Sequence, residues 1–158
     1  MTGAVRGRGR VPGRPAAART RGVAAACAVL TVATALAVRA VSDGEGGKYA
    51  GDALYTVLVH ALAVLVAPRV RPALAAGAAL VLSCAVEVAQ LTGVPAGLSA
   101  RSEVFRLVLG STFNAPDLLW YAVGAAFSWG VHRAVRRWAA TVAGRSAQAS
   151  RRVRPSDS

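Results

Sequence analysis

The chain has 158 residues, of which 54% are hydrophobic and 16% charged, and its formal net charge is +12. Residues 1–21 and residues 133–158 each carry a net charge of +6, so the hydrophobic body between them is formally neutral. A nucleic-acid-binding domain would spread its Arg residues over a folded face, whereas here the basic residues flank long apolar runs, as in membrane proteins. We therefore expect membrane lipids as partners and exclude nucleic acid.

The N-terminal segment, residues 1–21, consists mainly of Gly, Pro, Ala and Arg, which predicts a disordered tail. The first apolar run follows at residues 22–38 and is just long enough to cross a hydrocarbon core of ~30 Å as a helix. Its alternative interpretation is a signal peptide that is cleaved after Ala37, because a basic segment, an apolar run and Ala35-Leu36-Ala37 follow one another.

Three further apolar runs follow, at about residues 51–67, 73–91 and 115–132. Pro68 and Pro72 bound the short segment PRVRP, which predicts a tight turn between antiparallel helices because proline lacks the helical donor. Pro116 is a favoured residue in the first turn of a helix. The sequence therefore predicts an all-α polytopic integral membrane protein with four transmembrane helices in residues 22–132, followed by a basic tail, residues 133–158.

Orientation follows from the distribution of basic residues among the connections. The two tails and the 68–72 turn together hold 15 of the 19 Lys and Arg residues, whereas the 39–50 and 92–113 connections hold 4. Cytoplasmic segments of membrane proteins are enriched in Lys and Arg. We therefore expect both termini in the cytoplasm and the protein in the inner (plasma) membrane of the cell.

Each apolar run carries one stripe of polar or small residues at helical spacing. Lipid penalises exposed polar groups, and small side chains let helix backbones approach closely, so the stripes should face one another. The stripes are Cys27, Thr31 and Thr34 on the first run, Asp52, Thr56 and His60 on the second, Ser83, Glu87 and Gln90 on the third, and Asp117, Tyr121, Gly124 and Ser128 on the fourth.

The predicted topology places the start of the second helix, the end of the third and the start of the fourth on the outer side. The residues that this topology gathers form a predicted outer-face binding cluster of Asp52, Glu87, Gln90, Arg101, Asp117 and Tyr121. The cations available on that side are Lys48, Arg101 and Arg106. Of these, Arg101 is the one expected to pair with Glu87 or Asp117. The structural alternative is that these residues only lock the helices in register or reach into the headgroups.

Three segments carry a resemblance to a known family: GGKYAGDALY at 46–55, VEVAQLTGVP at 86–95 and LSARSEVFRLVLGSTFNAPDLLWYAVG at 98–124. Over roughly residues 23–131 the chain resembles the bacterial membrane proteins called domain of unknown function 2809. The resemblance implies a four-helix membrane fold, distantly similar to VanZ-like proteins, and it argues against cleavage after Ala37. It implies no activity, so no catalytic residue is carried over.

These observations favour a non-enzymatic envelope component that binds a lipid, an envelope precursor or a protein partner through the outer polar cluster. Four short helices also leave a homo-oligomer open. One alternative is an intramembrane enzyme that uses the carboxyl groups as general acid and base. Another is a proton or solute pathway along Asp52, Thr56 and His60. We expect no cofactor, because GEGGKY lacks the first Gly and the Ser or Thr of a phosphate-binding loop.

Overall fold

The computed structural model describes residues 14–42, 44–100, 102–104 and 113–152. Its helices are α1 (Arg14–Val41), α2 (Glu45–Val66), α3 (Pro72–Ala89), α4 (Val94–Ser99) and α5 (Ala115–Arg152). One turn of 3-10 helix, Gln90–Thr92, joins α3 to α4. The part of the chain that is described contains no strand, which confirms the predicted all-α fold class.

The central helix of the bundle is α2, which packs against α1, α3 and α5, while α3 and α5 also contact each other. The closest approach lies between α2 and α5. A Cβ atom built on Gly124 would overlap the carbonyl oxygen of Ala53, so only glycine fits at this crossing. Small residues at such positions are typical of helix pairs in membranes.

The turn between α2 and α3 is tight, as the two prolines predict. The Val70 N–H donates to the Ala67 carbonyl at 2.9 Å. Arg71 then adopts an extended conformation at the N-cap of α3, and Pro72 occupies the first turn. Proline is tolerated there because N–H groups in the first turn form no hydrogen bond within the helix. The second and third helices are therefore antiparallel.

Two arginines close the end of the bundle at which this turn lies. The Arg21 guanidinium of α1 donates to the Leu65 carbonyl at 3.1 Å, and Arg136 of α5 donates to the Val70 carbonyl at 3.0 Å. The last carbonyls of a helix lack intrahelical partners and carry partial negative charge, so cationic donors stabilise them. We call this the basic end of the bundle.

The interior of the bundle is small and polar, and its surface is large and apolar. The buried residues include Ala24, Ala28, Thr31, Thr56, His60, Ala61, Ala75, Ala76, Ala79, Ser83, Glu87, Asp117, Tyr121, Ala125 and Ser128. By contrast, Leu30, Leu119 and Phe127 are 66%, 64% and 64% exposed. Soluble proteins bury large apolar side chains, whereas helices in lipid turn them outward.

Within the described part of the chain, three helices are long and apolar enough to cross a membrane, at Ala16–Val41, Glu45–Val66 and Pro72–Thr92. This corrects the predicted count of four. The predicted fourth span, 115–132, is the N-terminal half of α5, and its polar side chains, Asp117, Ser128 and His132 among them, lower its mean hydropathy. These three helices identify a multi-pass membrane protein, and so does the exposure of large apolar side chains around a small, polar interior.

The helices extend beyond the predicted spans. Residues 14–21, which the sequence predicts as disordered, belong to α1, where Ala16 to Ala18 favour a helix. α2 begins at Glu45 rather than at residue 51, and α5 continues to Arg152 through the segment predicted as a basic tail.

The predicted polar stripe of α1 is wrong. Its buried residues are Ala24, Ala28 and Thr31, whereas Cys27 and Thr34 are exposed. The hydroxyls of Thr31 and Thr34 each donate to the carbonyl four residues earlier in the same helix, at 2.8 Å. A hydroxyl satisfied within its own helix needs no neighbouring helix, so Thr34 can face outward.

Candidate functional site

A cluster of charged side chains lies at the end of the bundle opposite the basic end, where α2 and α5 begin and α3 ends. The Lys48 ammonium contacts the carboxylates of both Asp52 and Asp117, with 3.5 Å to Asp52. The side chain of Lys48 is 46% exposed, and those of Asp52 and Asp117 are 19% and 6% exposed. Lys48 therefore joins α2 to α5 at the surface of the cluster.

Glu87 forms the buried part of the same cluster, with 1% of its surface exposed. Its Oε1 accepts a hydrogen bond from the backbone N–H of Asn114 at 2.6 Å, and its Oε2 accepts one from the Tyr121 hydroxyl at 2.9 Å. A carboxyl group inside a bundle is tolerated only when its oxygens have donors. Glu87 thus ties the last turn of α3 to the start of α5.

Asn114 connects the buried and exposed parts of the cluster. Its side-chain amide donates to Asp117 Oδ1 at 2.5 Å, and its carbonyl accepts from the Asp117 N–H at 2.9 Å. Asn and Asp commonly occupy these positions at the start of a helix because they satisfy its first N–H groups. We call Lys48, Asp52, Glu87, Asn114, Asp117 and Tyr121 the polar cluster.

The polar cluster contains three carboxyl groups and one ammonium group. Lys48 can offset one negative charge, and the hydrogen bonds to Glu87 come from neutral donors. Buried or half-buried carboxylates require such compensation. Cations and hydrogen-bond donors are therefore the groups that this end of the bundle can attract.

Aromatic rings flank the polar cluster on α2 and α5. Tyr49 and Trp120 stack with their ring centroids 5.4 Å apart and their planes 15° apart. Tyr55 and Tyr121 lie 6.3 Å apart at an angle of 54°. Tyr and Trp are the residues that concentrate where a membrane meets water, and the Tyr49–Trp120 pair lies at the end of the bundle that holds the cluster.

Two further polar contacts lie deeper in the bundle. The Thr56 hydroxyl of α2 donates to the Ser83 hydroxyl of α3 at 3.0 Å, and both residues are completely buried. One turn further along α2, His60 Nε2 lies 3.2 Å from Nδ1 of His132 on α5, with the rings in an edge-to-face arrangement. Together with the polar cluster, these four residues form a polar column along the α2–α3–α5 interior.

Most of the predicted site residues come together. Asp52, Glu87, Asp117 and Tyr121 all belong to the polar cluster, whereas Gln90 lies half-buried in the 3-10 turn after Glu87. Arg101 lies outside the described residues, so its pairing with an acid stays a prediction. That these residues bind a ligand also stays a prediction.

Sequence reasoning left three residues out of the predicted cluster, although it counted Lys48 among the cations on that side. Lys48 is the cation that contacts the acids, and it lies one helical turn before Asp52, a spacing that could have indicated the pair. Asn114 acts largely through its backbone N–H, which no residue pattern reveals. His132 continues the stripe of α5 one turn beyond Ser128, so extending the stripe would have found it.

The side chains in the described ranges form no group of three His, Cys, Asp or Glu residues that could hold a metal ion. The side chains of the polar column can form hydrogen bonds and ion pairs and can exchange protons.

Comparisons with known proteins identify one family. No curated protein and no solved structure matches the chain, so the distant likeness to VanZ-like proteins stays a prediction. A family described as "Protein of unknown function (DUF2809)" matches residues 41–125. The match covers α2, α3 and the start of α5 with most of the polar column, and it excludes residues 22–38. The chain belongs to this DUF2809 family.

Proposed function

We propose that α1, α2, α3 and the N-terminal half of α5 lie together in the plasma membrane, with both termini in the cytoplasm. The supporting observation for α5 is that it buries Asp117, Tyr121 and Ser128 against its neighbours and turns Leu119 and Phe127 outward. For the orientation, Arg21 and Arg136 bond the carbonyls of the basic end. Cytoplasmic boundaries carry such residues.

We propose further that the polar cluster, on the outer face, binds the primary ammonium group of a membrane lipid, so that the protein is a non-enzymatic envelope component. The observation that carries this proposal is the position of Lys48. Its ammonium contacts Asp52 and Asp117 together while nearly half of its side chain is exposed. A ligand ammonium can take the same place when the flexible Lys48 side chain moves into water.

An apolar groove between α3 and α5 favours a lipid over a free amine as the ligand. The groove has a volume of about 410 Å³, lies between α3 and α5, and is lined by alanines of both helices with Gly77, Leu80 and Trp129. The same two helices hold Glu87 and Asp117. An acyl chain lying in this groove would cover apolar surface while its headgroup reaches the carboxylates.

The experiment compares lipids that differ only in the headgroup amine. The full chain is placed in nanodiscs of phosphatidylcholine with a minor fraction of phosphatidylethanolamine, and the lipids retained after extraction are counted by native mass spectrometry. We expect enrichment of phosphatidylethanolamine, because its N–H groups can donate to Asp52 and Asp117 and a quaternary amine cannot. Retention of the two lipids in the same ratio as in the nanodisc would refute the proposal.

Two variants and one control test the roles of the polar cluster and of the groove separately. Asp52→Asn should remove the enrichment, while Glu45→Gln, which neutralises an exposed acid in the first turn of the same helix, should preserve it. Gly77→Leu should fill the groove and reduce lipid retention. Free ethanolamine should bind to Gly77→Leu as it does to the unmodified chain if the cluster alone recognises the amine.

A further inference from the structure

The two histidines of the chain form a pair inside the bundle. His60 is 5% exposed in the middle of α2, and its Nε2 lies 3.2 Å from Nδ1 of His132 on α5. His60 Nδ1 is buried and has no hydrogen-bond partner among the described residues. An ionisable side chain at membrane depth is costly and usually belongs to an ion or proton path.

The geometry of the pair is that of a two-ring proton relay. Each imidazole has two nitrogens, and one nitrogen of each ring takes part in the shared hydrogen bond. When His60 Nε2–H donates to His132 Nδ1, a proton can be accepted at the vacant Nδ1 of His60. The proton of the shared bond then passes to His132, which releases its other proton from Nε2, so that one proton enters and one leaves.

Hydroxyl and carboxyl groups lie between the pair and the polar cluster. Thr56 lies one turn before His60 on the same face of α2, and its hydroxyl bonds Ser83. Ser83 lies one turn from Glu87, which accepts from Tyr121. The eight residue steps from Asp52 to His60 span about 12 Å at 1.5 Å per residue. Proton-exchanging groups therefore recur at each helical turn.

On the side of the basic end, the histidine pair is more exposed. His132 is half-buried, whereas His60 is buried. On α5, Arg136 is the charged neighbour one turn beyond His132, and it holds the Val70 carbonyl at the basic end. Arg21 of α1 bonds the α2 carbonyls at this same end. On α2 and α3 the nearest polar groups of the column are the neutral hydroxyls of Thr56 and Ser83.

We propose that the polar column conducts protons between the polar cluster and the basic end, with His60 and His132 as its relay. This function is separate from ammonium binding at the cluster. It extends the sequence-predicted path along Asp52, Thr56 and His60 by Ser83, Glu87 and His132, which the structure brings onto the same axis.

Proton flux into liposomes tests the proposal. The full chain is reconstituted in vesicles of phosphatidylcholine and phosphatidylglycerol with a trapped pH-sensitive dye, and a potassium gradient with valinomycin drives protons inward. We expect flux above that of protein-free vesicles, and the protein-free level in His60→Asn and His132→Asn. Flux at the protein-free level with the unmodified chain, or unchanged flux in both variants, would overturn the proposal.

A matched pair of threonine variants separates conduction from folding. Thr56→Val should abolish flux, because the Thr56 hydroxyl bonds Ser83 between the histidine pair and the polar cluster. Thr31→Val removes a hydroxyl that is also buried but bonds within α1, away from the column, and should leave flux unchanged. Equal flux in the two variants would overturn the role of the column.

Nitrogen NMR of histidine-labelled protein gives a readout independent of flux, since the chain contains only two histidines. We expect the rings to titrate in two coupled steps, as interacting sites do. Asn at either position should reduce this to a single step with a different midpoint. Two rings that titrate independently in the unmodified chain would contradict the relay.

Discussion

The Tyr121 hydroxyl donates a hydrogen bond of 2.9 Å to the carboxyl group of Glu87, and this contact joins α5 to α3 in the bundle interior. Both residues are buried, with 6% and 1% of their surfaces exposed. An oxygen that loses its donor at such a site regains none from lipid. The polar cluster therefore contributes to stability as well as offering a site for a ligand.

Tyr121→Phe should lower the free energy of unfolding by about 1–3 kcal/mol, since it leaves one buried oxygen of Glu87 without its donor. Unfolding in detergent, followed by circular dichroism, measures the change. Tyr49→Phe is the control, because the Tyr49 ring can still stack on Trp120 without its hydroxyl. Equal stability of Tyr121→Phe and the unmodified chain would contradict the importance of this bond.

Gly124→Ala should destabilise the bundle by about 1–3 kcal/mol, because the added methyl group overlaps the Ala53 carbonyl and forces α2 and α5 apart. Gly130→Ala on the same helix has open space around its new Cβ atom, so it should be neutral or slightly stabilising. Thermal unfolding of the two purified variants in one detergent gives the comparison. The reverse order of stability would be incompatible with the packing described.

Lys48 and Asp117 should be energetically coupled across α2 and α5. Lys48→Met should destabilise the unmodified chain more than it destabilises Asp117→Asn, because the neutral amide no longer needs a cation. A double-mutant cycle measures the difference, which we expect at about 0.5–3 kcal/mol. Additive effects of the two substitutions would show that the contact contributes nothing to stability.

The two ends of the bundle should differ in access from outside the cell. In a chain with Cys27→Ala and Cys84→Ala, Glu45→Cys should react with a membrane-impermeant maleimide in intact cells. Arg69→Cys, in the turn between α2 and α3, should react only after the cells are permeabilised. Labelling of both sites under the same condition would refute the proposed orientation and the placement of the polar cluster on the outer face.

Much of the interior could be predicted from sequence because lipid imposes one rule on every helix. Thr56, His60, Glu87 and Asp117 recur at helical spacing within apolar runs, and a membrane leaves them no stable position except the interior. On α1 the same reasoning failed, because a threonine hydroxyl can bond its own helix.

The partners of these residues were harder to predict. Lys48 contacts Asp52 and Asp117, and that contact depends on where the start of α2 lies in three dimensions. Asn114 reaches Glu87 through its backbone N–H. The pairing of His60 with His132 depends on the register between α2 and α5, which is set by the crossing at Gly124.

The length of α5 has a mechanical consequence. Its 38 residues extend about 57 Å at 1.5 Å per residue, whereas a bilayer's hydrocarbon core is ~30 Å thick. With α5 placed in the membrane as proposed, a single uninterrupted helix would start beside Asp117 and end well outside the lipid at Arg152. A small tilt of the first turns of α5 displaces its far end by a larger distance. A ligand or proton that binds beside Asp117 would therefore move the Arg-rich end of the helix in the surrounding water.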